Sequence, residues 1–284
     1  MQHTVTLRNG ITVPAIGQGS WYLGDHPAAR QDEIAAIRAG IDAGMTLLDT
    51  AEMYGNGRSE ELLGEAIRGT DRKRLFLVSK VLPANAGKEN MRHSCEESLR
   101  RLGTDYLDLY LYHWRGSIPL RETVEGLETL KKDGLIRAWG VSNFDTDDME
   151  ELFSIPGGEN CQVNQVLYHL GSRGIEYSLL PWMQKHGVAL MSYCPLAQAG
   201  TLRRGLFTSP AVKAIAEKHH CDPTQVLLAW NIRSGHTIAI PRSGKKEHTL
   251  RNAAADAVIL DPADLRAADA AFCPPVSKEY LDMQ

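Results

Sequence analysis

The sequence predicts an α/β fold, a (β/α)8 TIM barrel preceded by an N-terminal β-hairpin, on three observations. Eight short apolar runs with β character alternate with amphipathic helical stretches. The chain has 284 residues, a length that suits a barrel of about 250 residues with modest additions. A doubly wound open sheet would show the same alternation, but its dinucleotide-binding signature is missing: Gly17-Gln-Gly19 has no third glycine and no helix directly after it.

In chain order, "VTLRNGITVP" alternates apolar and polar residues on both sides of Asn9-Gly10, a strong hairpin signal. The βα units follow. "PAIGQG" precedes a helix over Gln31 to Ala43, "TLLD" one over Ser59 to Arg68, and "LFLVSK" one over Lys88 to Leu102. "YLDLYLYH" precedes Leu120 to Lys132, "IRAWGVSN" precedes Thr146 to Phe153, and "CQVNQV" precedes Ser178 to His186. "VALMSYCP" leads to helices between about Pro210 and Arg233, and "HTIAIP" to helical segments through Asp256 and from Pro262 to Ala271. No linker, low-complexity stretch or repeat beyond the βα unit interrupts the pattern, so a single domain over 1–284 is expected.

Composition narrows the function classes. Hydrophobic residues are 43% and charged residues 23%, the balance of an ordinary globular protein. A formal charge of -4, with no basic patch, gives no electrostatic footprint for nucleic acid, and no basic amphipathic face or apolar span suggests a membrane. Cys95, Cys161, Cys194, Cys221 and Cys273 are odd in number, scattered and free of Cys-x-x-Cys pairs, and the N-terminus lacks a signal-peptide apolar run. A cytoplasmic protein with reduced thiols is the expectation.

In a (β/α)8 barrel the carboxyl ends of the strands form the active-site face. Four polar residues fall there: Asp49 ending the second strand, Tyr54 in the loop after it, Lys80 ending the third strand and His113 ending the fourth. Singly each has a structural explanation, as a helix N-cap, a snorkelling lysine or a hydrogen-bonded core histidine. Together they can act chemically. An aspartate fixes the lysine ammonium, the ammonium lowers the tyrosine's pKa, and the tyrosine serves as general acid toward a carbonyl oxygen that the histidine orients. A Schiff-base lyase using Lys80 is the alternative chemistry.

"LLDTAEMYGN", "LFLVSK", "DYLDLYLYHW", "IRAWGVSNF", "QVNQ", "SYCPL" and "IPRSG" occur in this order, and through them the sequence resembles the aldo-keto reductase family over essentially its whole length. The resemblance implies a barrel that reduces aldehydes and ketones with NAD(P)H, without metal or flavin. It places the catalytic tetrad on Asp49, Tyr54, Lys80 and His113, with Tyr54 as proton donor. It further implies that Ser142, Asn143 and Gln165 bond the nicotinamide carboxamide, that Tyr193 stacks on the ring, and that Pro195 and Leu196 begin the loop beside the pyrophosphate.

At the other end of the cofactor, "IPRSGKKEHTLRNAA" sets Arg242, Ser243, Lys245 and Lys246 just before a helix N-terminus, a ready anion site. The 2′-phosphate of NADPH is the natural guest. Here the chain departs from the family's commonest pattern: Arg242 stands for lysine, His248 for an arginine on the 2′-phosphate, and Arg251 for an acidic or amide residue near the adenine, while Asn252 matches. NADPH is therefore expected, with NADH a weaker possibility.

Trp21, Tyr22 and Trp114 are expected to wall the carbonyl site. The connection "WRGSIPLRE" and the tail "CPPVSKEYLDMQ" are short where relatives carry long loops, which predicts an open pocket for small reactive aldehydes and dicarbonyls such as methylglyoxal. "KHHC" at 218–221 reads as a helix end, since adjacent ligands cannot converge on one ion, and no metal is expected. A non-catalytic NADPH-binding redox sensor is the rival class. Monomer is the family default for assembly.

Overall fold

The computed structural model describes residues 3–198 and 200–283. Strands β1 (Thr4–Thr6) and β2 (Thr12–Pro14) pair antiparallel as the Asn9-Gly10 turn predicts. Barrel strands follow as β3 (Gln18–Gly19), β4 (Leu47–Asp49), β5 (Phe76–Val81), β6 (Leu107–Tyr112), β7 (Ile136–Ser142), β8 (Val163–Leu167), β9 (Ala189–Tyr193) and β10 (Thr237–Ala239). All pair parallel with their sequence neighbours, in the order β3 to β10. Nearly every residue of these strands is buried, because helices cover the outer face while side chains fill the inside.

The sheet closes on itself between its first and last strands. Gly17 donates to the Ala239 carbonyl (2.8 Å), Ala239 to that of Ala15 (2.8 Å) and Gly19 to that of Pro241 (3.1 Å). The absent side chain serves this closure at Gly19 and the packing of the chain before β3 on β4 at Gly17. A Cβ on Gly19 would lie 2.8 Å from the Ile240 carbonyl oxygen, and one on Gly17 would lie 2.7 Å from a Leu47 methyl. Only glycine lets the strands approach that closely.

Helices α1 (Arg30–Asp42), α2 (Arg58–Ala66), α3 (Lys88–Leu102), α4 (Leu120–Lys132), α5 (Thr146–Ser154) and α6 (Leu179–His186) follow β3 to β8 in turn. After β9 come α7 (Gly200–Thr208), α8 (Pro210–Lys218) and α9 (Pro223–Ile232); α10 (Lys246–Ala254) and α11 (Pro262–Ala271) follow β10. Aspartates begin several of these helices, with Asp145, Asp222 and Asp261 each closing a capping box on α5, α9 and α11. The hairpin sits at the amino ends of the barrel strands, where the Asn9 amide donates to Gln162 Oε1 (2.8 Å) just before β8. The strand carboxyl ends are therefore left to the βα loops. No helix among the described residues is long and apolar enough to cross a membrane.

Candidate active site

Asp49, Tyr54 and Lys80 meet at the carboxyl ends of β4 and β5. Lys80 is fully buried, and its Nζ donates three hydrogen bonds: to Asp49 Oδ2 (2.8 Å), the Thr50 carbonyl (2.7 Å) and Tyr54 Oη (3.2 Å). Three acceptors match the three N–H bonds of an ammonium. Burial pulls the Lys80 pKa below its usual value and raises that of Asp49, while each charge opposes the shift of the other. An ammonium so saturated, with no exposure, is not a free amine waiting for a carbonyl carbon, which argues against the Schiff-base alternative.

Two side networks hold this triad. The Ser20 amide and hydroxyl both donate to the Asp49 carbonyl (3.0 and 2.8 Å), and Ser59 donates to Ser20 Oγ (2.8 Å). The other Asp49 oxygen, Oδ1, accepts from Gln165 Nε2 (2.8 Å) across the barrel. Behind Lys80, buried Glu60 accepts from Ser79 Oγ and Arg101 Nε (2.6 Å each) and adds a negative charge that supports the ammonium. Ser20, Ser59, Glu60 and Arg101 carry no signal in the sequence, because each acts only through a neighbour distant in the chain.

Tyr54 opens a tight turn in which Gly55, Asn56 and Gly57 are all left-handed (φ 57°, 54° and 90°), which is what "YGNG" supplies. Other non-glycine residues in that region are Tyr22, Asn143, Cys194, Ala197 and His220. All but His220 lie in loops that leave the strand carboxyl ends, so backbone strain collects at this mouth.

One expectation is corrected here. The Tyr54 pKa lies well above the usual tyrosine value, not below it: burial is the largest cause, and the charges of Asp49 and Cys194 add to it. Lys80 does not overcome desolvation, so Tyr54 rests as a protonated phenol. The Lys80 ammonium already donates into Tyr54 Oη, which leaves the phenolic O–H free to donate elsewhere.

His113 follows β6, its amide bonded to the Val81 carbonyl (3.1 Å), and its ring lies edge-on to Tyr54 with centroids 5.8 Å apart. Burial, reinforced by the Lys80 charge, lowers its pKa to about 2, so it is neutral. Its Nδ1 is buried without a hydrogen-bond partner among the described residues. Trp114 packs on His113 at 4.7 Å, while Trp21 lies 6.3 Å from Tyr54 and stacks on Tyr22 at 4.6 Å. Trp21 and Trp114 thus flank Tyr54 and His113, whereas Tyr22, 51% exposed, forms the outer edge.

The residues expected at the nicotinamide cluster beside these. Asn143 Nδ2 donates to the His113 carbonyl (3.2 Å), and Tyr193 Oη donates to Asn143 Oδ1 (2.9 Å). Ser142 Oγ donates to the Gln165 carbonyl (2.8 Å). Gln165 lies inside β8 rather than at its end. Its Nε2 donates to Asp49 Oδ1 and the Met191 sulfur, so the side-chain amide's acceptor is Oε1. Pro195 and Leu196 follow β9, and Arg203 of α7 holds this loop by donating from Nη1 to the Leu196 and Ala197 carbonyls (3.1 and 2.8 Å). Neighbouring Cys194 is no reactive thiolate: burial pushes it up to about 11.

Farther out, Arg242 Nε donates to the Trp21 carbonyl (3.1 Å), and Ser243 Oγ accepts from the Lys245 amide (3.1 Å) ahead of α10. Among the described residues Arg242, Lys245 and Lys246 form no ion pair with a carboxylate. His248 and Arg251 lie on α10, with Arg251 3.6 Å from Asp222 Oδ2, and Asn252 is buried. Cations at a helix N-terminus that pair with no described carboxylate could receive a phosphate, and the amide and hydroxyl groups of Ser142, Asn143 and Gln165 could bond a carboxamide. Two surface clefts of about 580 and 600 Å3 include none of Asp49, Tyr54, Lys80 and His113: one lies near Arg72 and Tyr106, and one between α1 and α10, where Lys246 lines it. Among the described residues no three His, Cys, Asp or Glu side chains are grouped to hold a metal.

The aldo/keto reductase family model matches residues 15–272. The chain belongs to the aldo/keto reductase family. This aldo/keto reductase is 51% identical over 282 residues to methylglyoxal reductase YeaE of Escherichia coli (strain K12), covering 99% of each chain. It is 36% identical to the glyoxal reductase of Bacillus subtilis (strain 168), over 89% of this chain and 87% of that one. The crystal structure of an aldo/keto reductase from Klebsiella pneumoniae in complex with NADP and acetate superposes over 100% of both chains, with a TM-score of 0.97 and 54% identity. A structure of the Klebsiella protein with NADPH matches equally well.

Proposed function

We propose that this aldo/keto reductase is an NADPH-dependent oxidoreductase that reduces small aldehydes and dicarbonyls, methylglyoxal among them, to alcohols. The hydrogen bond from the Lys80 ammonium into Tyr54 Oη carries the reading, because it aims the phenolic proton away from Lys80. Identity to glyoxal and methylglyoxal reductases supports the substrate class.

NADPH, when bound, supplies the hydride to the carbonyl carbon. Tyr54 gives its phenolic proton to the carbonyl oxygen. The raised pKa keeps that proton in place through the neutral range, and the Lys80 contact strengthens as phenolate charge develops. Asp49, Gln165 and Ser20 keep Lys80 aimed, which makes them positioning residues. His113, held neutral, offers a hydrogen bond to the substrate oxygen without competing for the proton. Ser142, Asn143, Gln165 and Tyr193 would hold the nicotinamide, Pro195 and Leu196 would border the pyrophosphate, and Arg242, Ser243, His248, Arg251 and Asn252 would receive the adenosine end. Trp21, Tyr22 and Trp114 would line the carbonyl pocket.

Loss of absorbance at 340 nm with NADPH and methylglyoxal tests the reading, in the wild type and in Tyr54→Phe. Removing the general acid is expected to lower kcat by about 10²–10⁴-fold. Unchanged kcat in Tyr54→Phe would remove Tyr54 from its role. Tight NADPH binding without turnover of any aldehyde would favour a sensor instead.

A further inference from the structure

Side chains alternate along β5, so that Lys80 points into the barrel toward Asp49 while Ser79 points out toward the helices. There Glu60, fully buried in the first turn of α2, divides its carboxylate between two other elements. Oε1 accepts from Ser79 Oγ of β5 and Oε2 from Arg101 Nε of α3, at 2.6 Å each. Two glycines of the Tyr54 turn and α2 set the course of the Arg101 side chain. A Cβ on Gly64 would lie 2.5 Å from the Arg101 carbonyl oxygen, and one on Gly57 would lie 2.7 Å from Arg101 Cδ. The side chain therefore runs along α2 back to Gly57, the residue that closes the Tyr54 turn. Arg101 lines the cleft at the amino ends of β5 and β6, so it does not touch a substrate at the barrel mouth.

We propose that Glu60 and Arg101 are positioning residues for the carbonyl reduction, which clamp the turn carrying Tyr54 to the strand carrying Lys80 and so set the 3.2 Å approach of Lys80 Nζ to Tyr54 Oη. The inference rests on the reading of Tyr54 as general acid. Helix α2 begins directly after the Tyr54 turn, and Ser79 directly precedes Lys80, so the bond between Glu60 and Ser79 joins the two segments from behind. Between Tyr54 and α2 stand three left-handed residues, Gly55, Asn56 and Gly57, and two glycines in three give that link backbone freedom. Arg101, laid against Gly57, takes up the freedom. A buried carboxylate that holds a hydroxyl and a guanidinium so closely resists displacement, because moving either partner away leaves charge unpaired.

Glu60→Gln, Arg101→Met and Arg101→Lys test this on the whole protein, each made alone, with Glu60→Gln also made in a Tyr54→Phe background. Circular dichroism checks that each is folded, tryptophan fluorescence gives Kd for NADPH, and the 340 nm assay gives kcat/KM for methylglyoxal in H2O and in D2O. Glu60→Gln and Arg101→Met are expected to lower kcat/KM by about 10- to 100-fold while Kd for NADPH moves less than about twofold, with a larger solvent isotope effect as proton donation lags. Arg101→Lys, which keeps a cation beside Glu60, should recover part of the loss. In Tyr54→Phe, where no phenolic proton remains to be aimed, Glu60→Gln should lower the residual rate far less than it does in the wild type. A merely structural role would give the same fractional loss in both backgrounds, and that result, or an unchanged kcat/KM in folded Glu60→Gln, overturns the inference while leaving Tyr54 as the acid. If Arg101→Met does not fold, Glu60→Gln carries the test, since it leaves no fully buried charge unpaired. If Tyr54→Phe by itself turns over methylglyoxal like the wild type, the reading of Tyr54 has failed and the clamp's role falls with it.

Discussion

The two ends of the proposed cofactor site are built in opposite ways. At the catalytic end Asp49, Lys80, Gln165 and Ser20 are buried and satisfy one another, so each side chain has one arrangement before any ligand arrives. At the adenosine end Arg242, Lys245 and Lys246 stand exposed without carboxylate partners among the described residues, and Arg251 has a loose one. A buried charge must be paired where it sits, whereas an exposed cation is paired by water and can wait for its anion. Proton transfer needs the first kind of construction, because a reacting phenol must be held within a fraction of an ångström. Phosphate capture tolerates the second.

The contrast breaks most sharply at Lys80. Lys80→Met leaves Asp49 buried without its cation and is expected to cost about 3–5 kcal/mol of stability together with nearly all turnover. Urea unfolding and the 340 nm assay would measure both. A variant as stable as wild type would mean that Asp49 is already held neutral, and that the catalytic end is not the self-paired structure described.

A smaller effect concerns acid. His113 and His169 have pKa values lowered by burial to about 2 and about 4, so between those values and 6.5 the unfolded chain binds protons that the folded chain does not. Stability present above about pH 6.5 is therefore lost as pH falls, by up to about 1.4 kcal/mol per pH unit for each histidine. Urea unfolding at pH 7, 6 and 5.5 should show this slope, and His113→Asn should reduce it. An unaltered slope in that variant would show that the folded protein already admits a proton at His113.

The smallest effect is expected at the exposed end. Lys245→Ala should leave the melting temperature nearly unchanged and raise KM for NADPH no more than about tenfold, with a penalty that fades in high salt. A salt-independent loss, or a large drop in melting temperature, would mean that Lys245 is part of the fold rather than a waiting cation.

Much of this was legible in the chain. Asn9-Gly10 announces the hairpin, and the helices predicted over Lys88 to Leu102 and Leu120 to Lys132 have those bounds in the structure. Asp49, Lys80 and His113 were visible because each interrupts or ends an apolar strand, which is a local signal. Helix α7 was not anticipated: "GTLRRGLFT" carries two glycines in nine residues, a composition that weakens any helical pattern. The direction of the Tyr54 pKa shift was misjudged for a different reason. A neighbouring ammonium can be inferred from motifs, but the extent of burial that outweighs it belongs to the packed barrel.

By itself, then, the sequence determined the βα alternation, the turn chemistry and the residue types delivered to the strand ends, all of which depend on spacing within a few residues. Only the tertiary structure decided why Gly17 and Gly19 must lack side chains, how Gln165 reaches Asp49 from 116 residues away, and that Arg251 faces Asp222. Closing the barrel brings the ends of distant strands within hydrogen-bond range, and it removes the water that would otherwise decide the charge on each group.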